Sequence, residues 1–208
     1  ADLYLGALGK NRLLINQGDG TFRDATDSLG TDENFFTTSL AIADIDGDHL
    51  PDLFEVNYIE NEGGYSQPVK GEDGTDQLPS PLLFFAQADR FFRSTGSGEF
   101  TCVDIPQQSA EPGSGLGLIV SNFDDQSGNE VFVGNDLRPN HFFRYQDGEF
   151  TNFADVLGIA NGYHGLANGC MGIATGDFDR SGTFDLHIGN YRSESDNLFL
   201  QNSNGTFR

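Results

Sequence analysis

The chain has 208 residues, with 37% hydrophobic content, 19 Phe, 27 Gly, no Trp and a formal net charge of −21. That length allows one domain with a sizeable core, and the composition argues against a low-complexity or disordered chain. With only 11 Lys and Arg against 32 Asp and Glu, it also argues against a nucleic-acid or anionic-membrane partner and favours cations as ligands.

No apolar run approaches the roughly 20 residues of a membrane helix, and no basic and apolar leader is seen, so a signal peptide is expected to be absent or already removed. The two cysteines, Cys102 and Cys170, have no metal-type spacing and suggest neither zinc nor a disulfide framework. Frequent Gly, Asn-Gly and Asp-Gly between short runs of Phe, Leu, Ile and Val predict an all-β chain with almost no helix.

In chain order, DLYLGAL reads as the second strand of a repeat, with Asp2 at the last position of a preceding loop. NRLLINQ from Asn11 is its third strand and GTFRDAT from Gly20 its fourth. The next unit opens with LAIADIDGDHLPDLFEVNY, in which an apolar strand leads into nine loop positions from Asp44 and then a strand closing on Asn57. An insertion at about residues 59–80 follows, then PLLFFAQ as third strand and GEFTCVD from Gly98 as fourth. LIVSNFDDQSGNEVFVGND repeats the opening with its loop at Asn122 and is completed by NHFFRYQ and GEFTNFA. IATGDFDRSGTFDLHIGNY repeats it again from Asp177 and is completed by NLFLQN and the final GTFR.

Units of roughly 40 to 55 residues with four antiparallel strands are the size of β-propeller blades. The expected architecture is a single repeat region over 1–208, with blades at 1–38 (partial), 39–114, 115–170 and 171–208. About four blades with two exposed edges imply a larger propeller or assembly, reached within a longer polypeptide or by another copy.

The loops carry the chemistry. Asp44, Asp46, Asp48 and Asp52 occupy positions one, three, five and nine, and the Leu50 carbonyl is available at position seven. Several hard oxygens converging on one point suit calcium, whereas magnesium keeps its waters and demands stricter octahedral geometry. Asp177, Asp179, Ser181, the Thr183 carbonyl and Asp185 repeat the scheme with one carboxylate fewer. Asn122, Asp124, Gln126, the Gly128 carbonyl and Glu130 give a weaker third set, and the other reading of that loop is a turn held by its own Asx-type hydrogen bonds.

These stretches resemble FG-GAP or VCBS repeats, the units of integrin α-subunit propellers and of many secreted bacterial proteins. GCMGIATGDFDRSGTFDLHIGNY followed by NLFLQNSNGTFR is most similar to the repeats of bacterial ASPIC/UnbV-type proteins. The resemblance implies calcium at Asp44, Asp46, Asp48 and Asp52 and at Asp177, Asp179, Ser181 and Asp185, and a location that is secreted, at the cell surface or periplasmic.

The function expected is a non-catalytic, calcium-stabilised scaffold or adhesion module. It would bind a protein or glycan through Tyr58, Glu60, Glu62 and Tyr65 and the acidic Glu72 and Asp73. Self-assembly into an extracellular filament or array through the incomplete blade is the first alternative. A propeller-based polysaccharide lyase or hydrolase is the second, with His164 as the residue to test, although no GxSxG elbow, HExxH or phosphate-cradling loop is present.

Overall fold

The computed structural model describes residues 2–30, 34–60, 67–105 and 111–208. Helix among them is limited to α1 (Ala154–Leu157) and two 3-10 turns at Thr26–Leu29 and Pro81–Leu83. Short antiparallel strands make up the rest, in small sheets set out one after another along the chain.

The first unit contains β1 (Leu3–Leu5), β2 (Leu8–Gly9), β3 (Arg12–Asn16) and β4 (Phe22–Asp24). Its sheet runs β1-β3-β4, while β2 pairs with the next unit. The second unit begins with β5 (Phe35–Ala43), inside the span expected for the first, and β6 (Asp52–Asn57). A detached hairpin of β7 (Val69–Lys70) and β8 (Asp76–Gln77) intervenes before β9 (Arg90–Ser94) and β10 (Phe100–Val103). Its order is β10-β9-β6-β5, with β2 added at the β5 edge.

The third unit is a four-stranded meander of β11 (Gly115–Ser121), β12 (Glu130–Asn135), β13 (His141–Gln146) and β14 (Glu149–Asn152). The β13–β14 turn needs two left-handed residues, supplied by Asp147 (φ 53°) and Gly148 (φ 88°), the pairing that two-residue hairpins favour. The fourth unit has β15 (Cys170–Gly176), β16 (Asp185–Asn190) and β17 (Asn197–Phe199). Its final GTFR is reduced to one bridge, Gln201 to Phe207.

One expected strand is displaced. Pro81 to Gln87 is not the third strand of the second unit, because the Ser80 hydroxyl accepts from the Leu82 amide (3.3 Å) and Pro81 supplies a helical φ, which starts a 3-10 turn. Leu82, Leu83 and Phe85 are exposed. The third strand is β9, where Phe91 and Phe92 are fully buried, so the excursion between second and third strands runs well beyond residue 80. RFFRS carries two arginines, Arg90 and Arg93. Arg90 is buried against Glu55, with Nε and Nη2 each 2.6 Å from its carboxylate.

Side chains along each strand alternate between two neighbours. On β6, Leu53 packs with Tyr4, Leu13 and Phe92 toward the first unit, while Phe54 and Val56 pack with Phe91, Val131, Val133 and Phe143 toward the third. On β12 and β13, Phe132 and Phe142 turn to the fourth unit and meet Leu186, Ile188 and Phe199. The core therefore lies between successive sheets. Glu55, on the Leu53 face, accepts from the Tyr4 hydroxyl, from Asn11 Nδ2 (2.9 Å) and from Arg90. Burial lifts its carboxyl to about 7 even with Arg90 opposing the shift.

The first two strands of units two to four share one register. Each has a bulge at the same place, where Thr37, Gly115 and Cys170 lie opposite Asn57, Asn135 and Asn190. Those asparagines close the sheet to its third strand. Their Nδ2 groups donate to the carbonyls of Ala88 (2.9 Å), Pro139 (2.6 Å) and Ser195 (2.7 Å). Their amides donate to the side-chain oxygens of Asp89, Asn140 and Asp196. In the first unit Asn11 takes that acceptor part, receiving the Ala7 amide (2.8 Å).

The placement of β9 gives a direct test. Phe91→Ala should cost about 3 to 5 kcal/mol of unfolding free energy, as a buried aromatic does. Phe85→Ala should stay within about 0.5 kcal/mol, as surface changes do. Equal losses in chemical denaturation would return the strand to Pro81–Gln87.

Candidate metal-binding loops

The Asp44–Asp52 and Asp177–Asp185 loops share one conformation, which folds their carboxylates inward. Left-handed backbone occurs at positions four and six in both: Gly47 and His49 (φ 79° and 68°), Arg180 and Gly182 (φ 62° and 89°). In the first, Asp44 accepts from the amides of Gly47 (2.8 Å) and His49 (3.0 Å), Asp46 from Asp48 (3.1 Å), and Asp48 from Leu50 (2.8 Å). In the second, Asp177 accepts from Ser181 (2.9 Å) and Gly182 (3.0 Å), Asp179 from Ser181 (3.0 Å), and Ser181 Oγ from Thr183 (3.3 Å). As a result, oxygens of Asp44, Asp46 and Asp48 lie within 4.8 Å of one another, as do those of Asp177, Asp179 and Asp185. Like charges held this close favour a cation between them, and all-oxygen donors fit calcium.

The ninth position does more than the sequence suggested. Asp52 is fully buried; it accepts the Ile45 amide (3.0 Å) on one oxygen and the Ser94 amide of β9 (2.9 Å) on the other. Asp185 likewise accepts from Phe178 (2.7 Å) and Gln201 (2.8 Å). Each carboxylate ties its loop to the far side of its own sheet. Burial, with Asp46 nearby, raises the Asp52 carboxyl above its ordinary value against the pull of those amides. The Asp179 carboxyl is held low chiefly by the Ser181 hydroxyl.

The Asn122–Glu130 loop brings no such group together among the described residues. Its two inward acids are taken by Arg144 of β13, whose Nη2 is 2.5 Å from Asp124 and whose Nε is 3.4 Å from Glu130. Arg93 of β9 sits in the same way against Asp46 and Asp48. Both arginines follow a Phe-Phe pair, in RFFR and HFFR, and that repeated motif was the available signal for them.

The expected ligand loop is only partly surface. Tyr58 is buried and its hydroxyl donates to Asp136 in the third unit (2.6 Å), so it is interface. Glu60, Glu72 and Asp73 are exposed, while Glu62 and Tyr65 lie outside the described residues. Apolar Leu78, Leu82, Leu83 and Phe85 are the exposed groups here that charge-based reading passed over. His164 stacks edge-on with Tyr163 (5.1 Å) at the rim of an open depression shared with Asn168 and Glu194. Cys102 is exposed on β10, whereas Cys170 is buried between units three and four and its thiol is pushed up to about 12 by burial. In Asn204-Gly205-Thr206 the Asn204 side-chain oxygen accepts from Thr206 N and Oγ1, as Asp19 does from Thr21, so the tripeptide builds a turn.

The class follows from this repeat: residues 1–55, which end just beyond the first acidic loop, match the family model described as FG-GAP-like repeat. A curated relative is Cartilage acidic protein 1 of Xenopus tropicalis, 34% identical over 97 residues. The match takes in 45% of this chain and 14% of that protein, so the chain covers a small part of its relative's length. The chain thus carries an FG-GAP-like repeat and is a distant homologue of that protein.

Two variants separate anchoring from metal holding. Asp52→Ala should lower unfolding free energy by about 1 to 3 kcal/mol even in chelator, because buried amides lose their acceptor. Asp46→Asn should change stability chiefly when calcium is present; a calcium-independent loss of equal size would show Asp46 to be another anchor.

A pH effect is expected from His141, 6% exposed, whose pKa burial depresses to about 4 against a backbone hydrogen bond at Glu111. Its folded value lies below the unfolded one, so the stability it carries is present above about 6.5 and lost as pH falls through about 4. The loss amounts to about 3 kcal/mol. Melting curves in chelator should fall less steeply over that window for His141→Phe than for wild type.

Proposed function

We propose that the chain is a run of β-propeller blades whose first hairpins hold calcium, serving as a non-catalytic extracellular scaffold or adhesion module. The observation that carries this is the pair of aspartate triads at equivalent hairpins, Asp44, Asp46 and Asp48 in one and Asp177, Asp179 and Asp185 in the other, with Asp52 anchoring the first loop to its sheet. The ligands are Asp44, Asp46 and Asp48, with the Leu50 carbonyl, and Asp177, Asp179 and Asp185, with Ser181 and the Thr183 carbonyl. Calcium supplies charge neutralisation, and these residues shape the loop to receive it. Binding only the folded state, the ion stabilises it by mass action. Loops with few charged ligands fill where calcium is near millimolar, which favours a secreted, cell-surface or periplasmic setting.

The contact surface follows from the excursion between β6 and β9. That excursion exposes apolar Leu78, Leu82, Leu83 and Phe85 and acidic Glu60, Glu72 and Asp73, side chains suited to a protein or glycan ligand. A second reading, self-assembly, draws on the two end faces: Leu3, Leu5, Leu8 and Phe22 are exposed on the first unit, and Met171, Phe178 and Leu198 on the fourth. These sheet faces are covered in the middle units, so either further repeats or a second copy would bury them.

Calcium at a hundred times its dissociation constant should raise unfolding free energy by about 2.7 kcal/mol per site. Thermal melts with calcium and with chelator test this, and an unchanged melting temperature overturns the reading. Sedimentation over a concentration series separates a soluble module from a self-assembling one.

A further inference from the structure

The Asn122–Glu130 loop sits at the same hairpin as the two acidic loops but is built differently. Its second left-handed residue is Gly128 (φ 89°) at position seven, where the other loops place theirs at position six. Asn122, at position one, receives the Asp125 amide on Oδ1 (2.7 Å) and turns Nδ2 into the loop, donating to the carbonyls of Gln126 (2.6 Å) and Gly128 (3.1 Å). A donor thus occupies the place where an ion would need an oxygen. Asp124 and Glu130 meanwhile share the Arg144 guanidinium, and Glu130 also accepts the Phe123 amide (2.7 Å). A donor amide and a fixed guanidinium together satisfy the inward hydrogen bonding of this loop and offset part of its carboxylate charge.

The loop also leans on its predecessor. Asn129 donates its Nδ2 to the Asp44 carbonyl (2.5 Å) and its amide to the Ile45 carbonyl (3.3 Å). The contact is close: a Cβ on Gly47 would lie 2.3 Å from Ser127 Oγ, and one on Gly128 would lie 2.6 Å from the Ile45 oxygen. Asp44 and Ile45 are the first two residues of the better-charged acidic loop, so its backbone is fixed from outside its own sheet.

We propose that the Asn122–Glu130 loop takes no divalent ion, the Arg144 guanidinium and Asn122 amide standing in for one, and that through Asn129 it presets the neighbouring Asp44–Asp52 site. Arg144 and Asn129 are positioning residues here. The inference rests on the proposed calcium occupancy of the other two loops.

The test is calcium stoichiometry by native mass spectrometry together with calcium titration calorimetry on the whole chain. Wild type should bind two ions. Three would overturn this inference and leave the scaffold reading standing; none would overturn both. Asn122→Asp combined with Arg144→Met removes the stand-ins and should create a third ion site, while Arg144→Met alone should lower the melting temperature with or without calcium. A wild-type-like melting temperature for that single variant would overturn the assignment to Arg144. On an Asp179→Asn background, Asn129→Ala should weaken the remaining site roughly fivefold, the size of one net hydrogen bond. Unchanged affinity would overturn the presetting role.

Discussion

Every residue of β6 and β12 is buried, charged ones included, because each second strand lies between neighbours on both of its faces. No sheet here can bury its apolar residues alone, so each depends on the next for its core. The same constraint explains the polar residues inside. Asp52, Glu55, Asn57 and Glu130 are enclosed, and each is held by amides, hydroxyls, a carbonyl or a guanidinium, as burial of such groups demands. Apolar packing fixes how the sheets stack, and polar contacts fix the corners where strands turn.

Much of this was legible in the chain. Aspartates at alternate loop positions, the closing Asn57, Asn135 and Asn190, and the Asp-Gly turns are local signals, and their geometry follows from a few adjacent residues. The third strand of the second unit was not legible. PLLFFAQ is more apolar than RFFRS, and only the long-range pairing of Arg90 with Glu55 shows which of them is interior. Tyr58 was misplaced for a similar reason, since its hydroxyl partner Asp136 lies in another unit. The anchoring role of Asp52 was hidden because a carboxylate in a ligand pattern looks the same whether it faces an ion or a backbone amide.

Three hairpins of one register thus show two answers to one electrostatic problem. Where three acids converge, the loop holds carboxylate charge that its own chain does not fully offset. Where Asn122 replaces the first acid and Arg144 reaches the other two, the chain supplies the positive charge itself. Arg93 stands between these cases, in contact with two carboxylates of a set that still has charge to spare.

The asparagine clasp at the opposite corner has an architectural consequence. Because it joins the end of one strand to the start of the next through groups at those two ends only, the sheet is indifferent to what the intervening chain does. Asn135 and Asn140 close it over a handful of residues, whereas Asn57 and Asp89 close it around an entire excursion that includes a hairpin. Loop-closure entropy grows only logarithmically with length. This corner is therefore a port at which new sequence can be grafted without disturbing the sheet, and diversity in such a repeat can accumulate there while the corners with the acidic loops stay short.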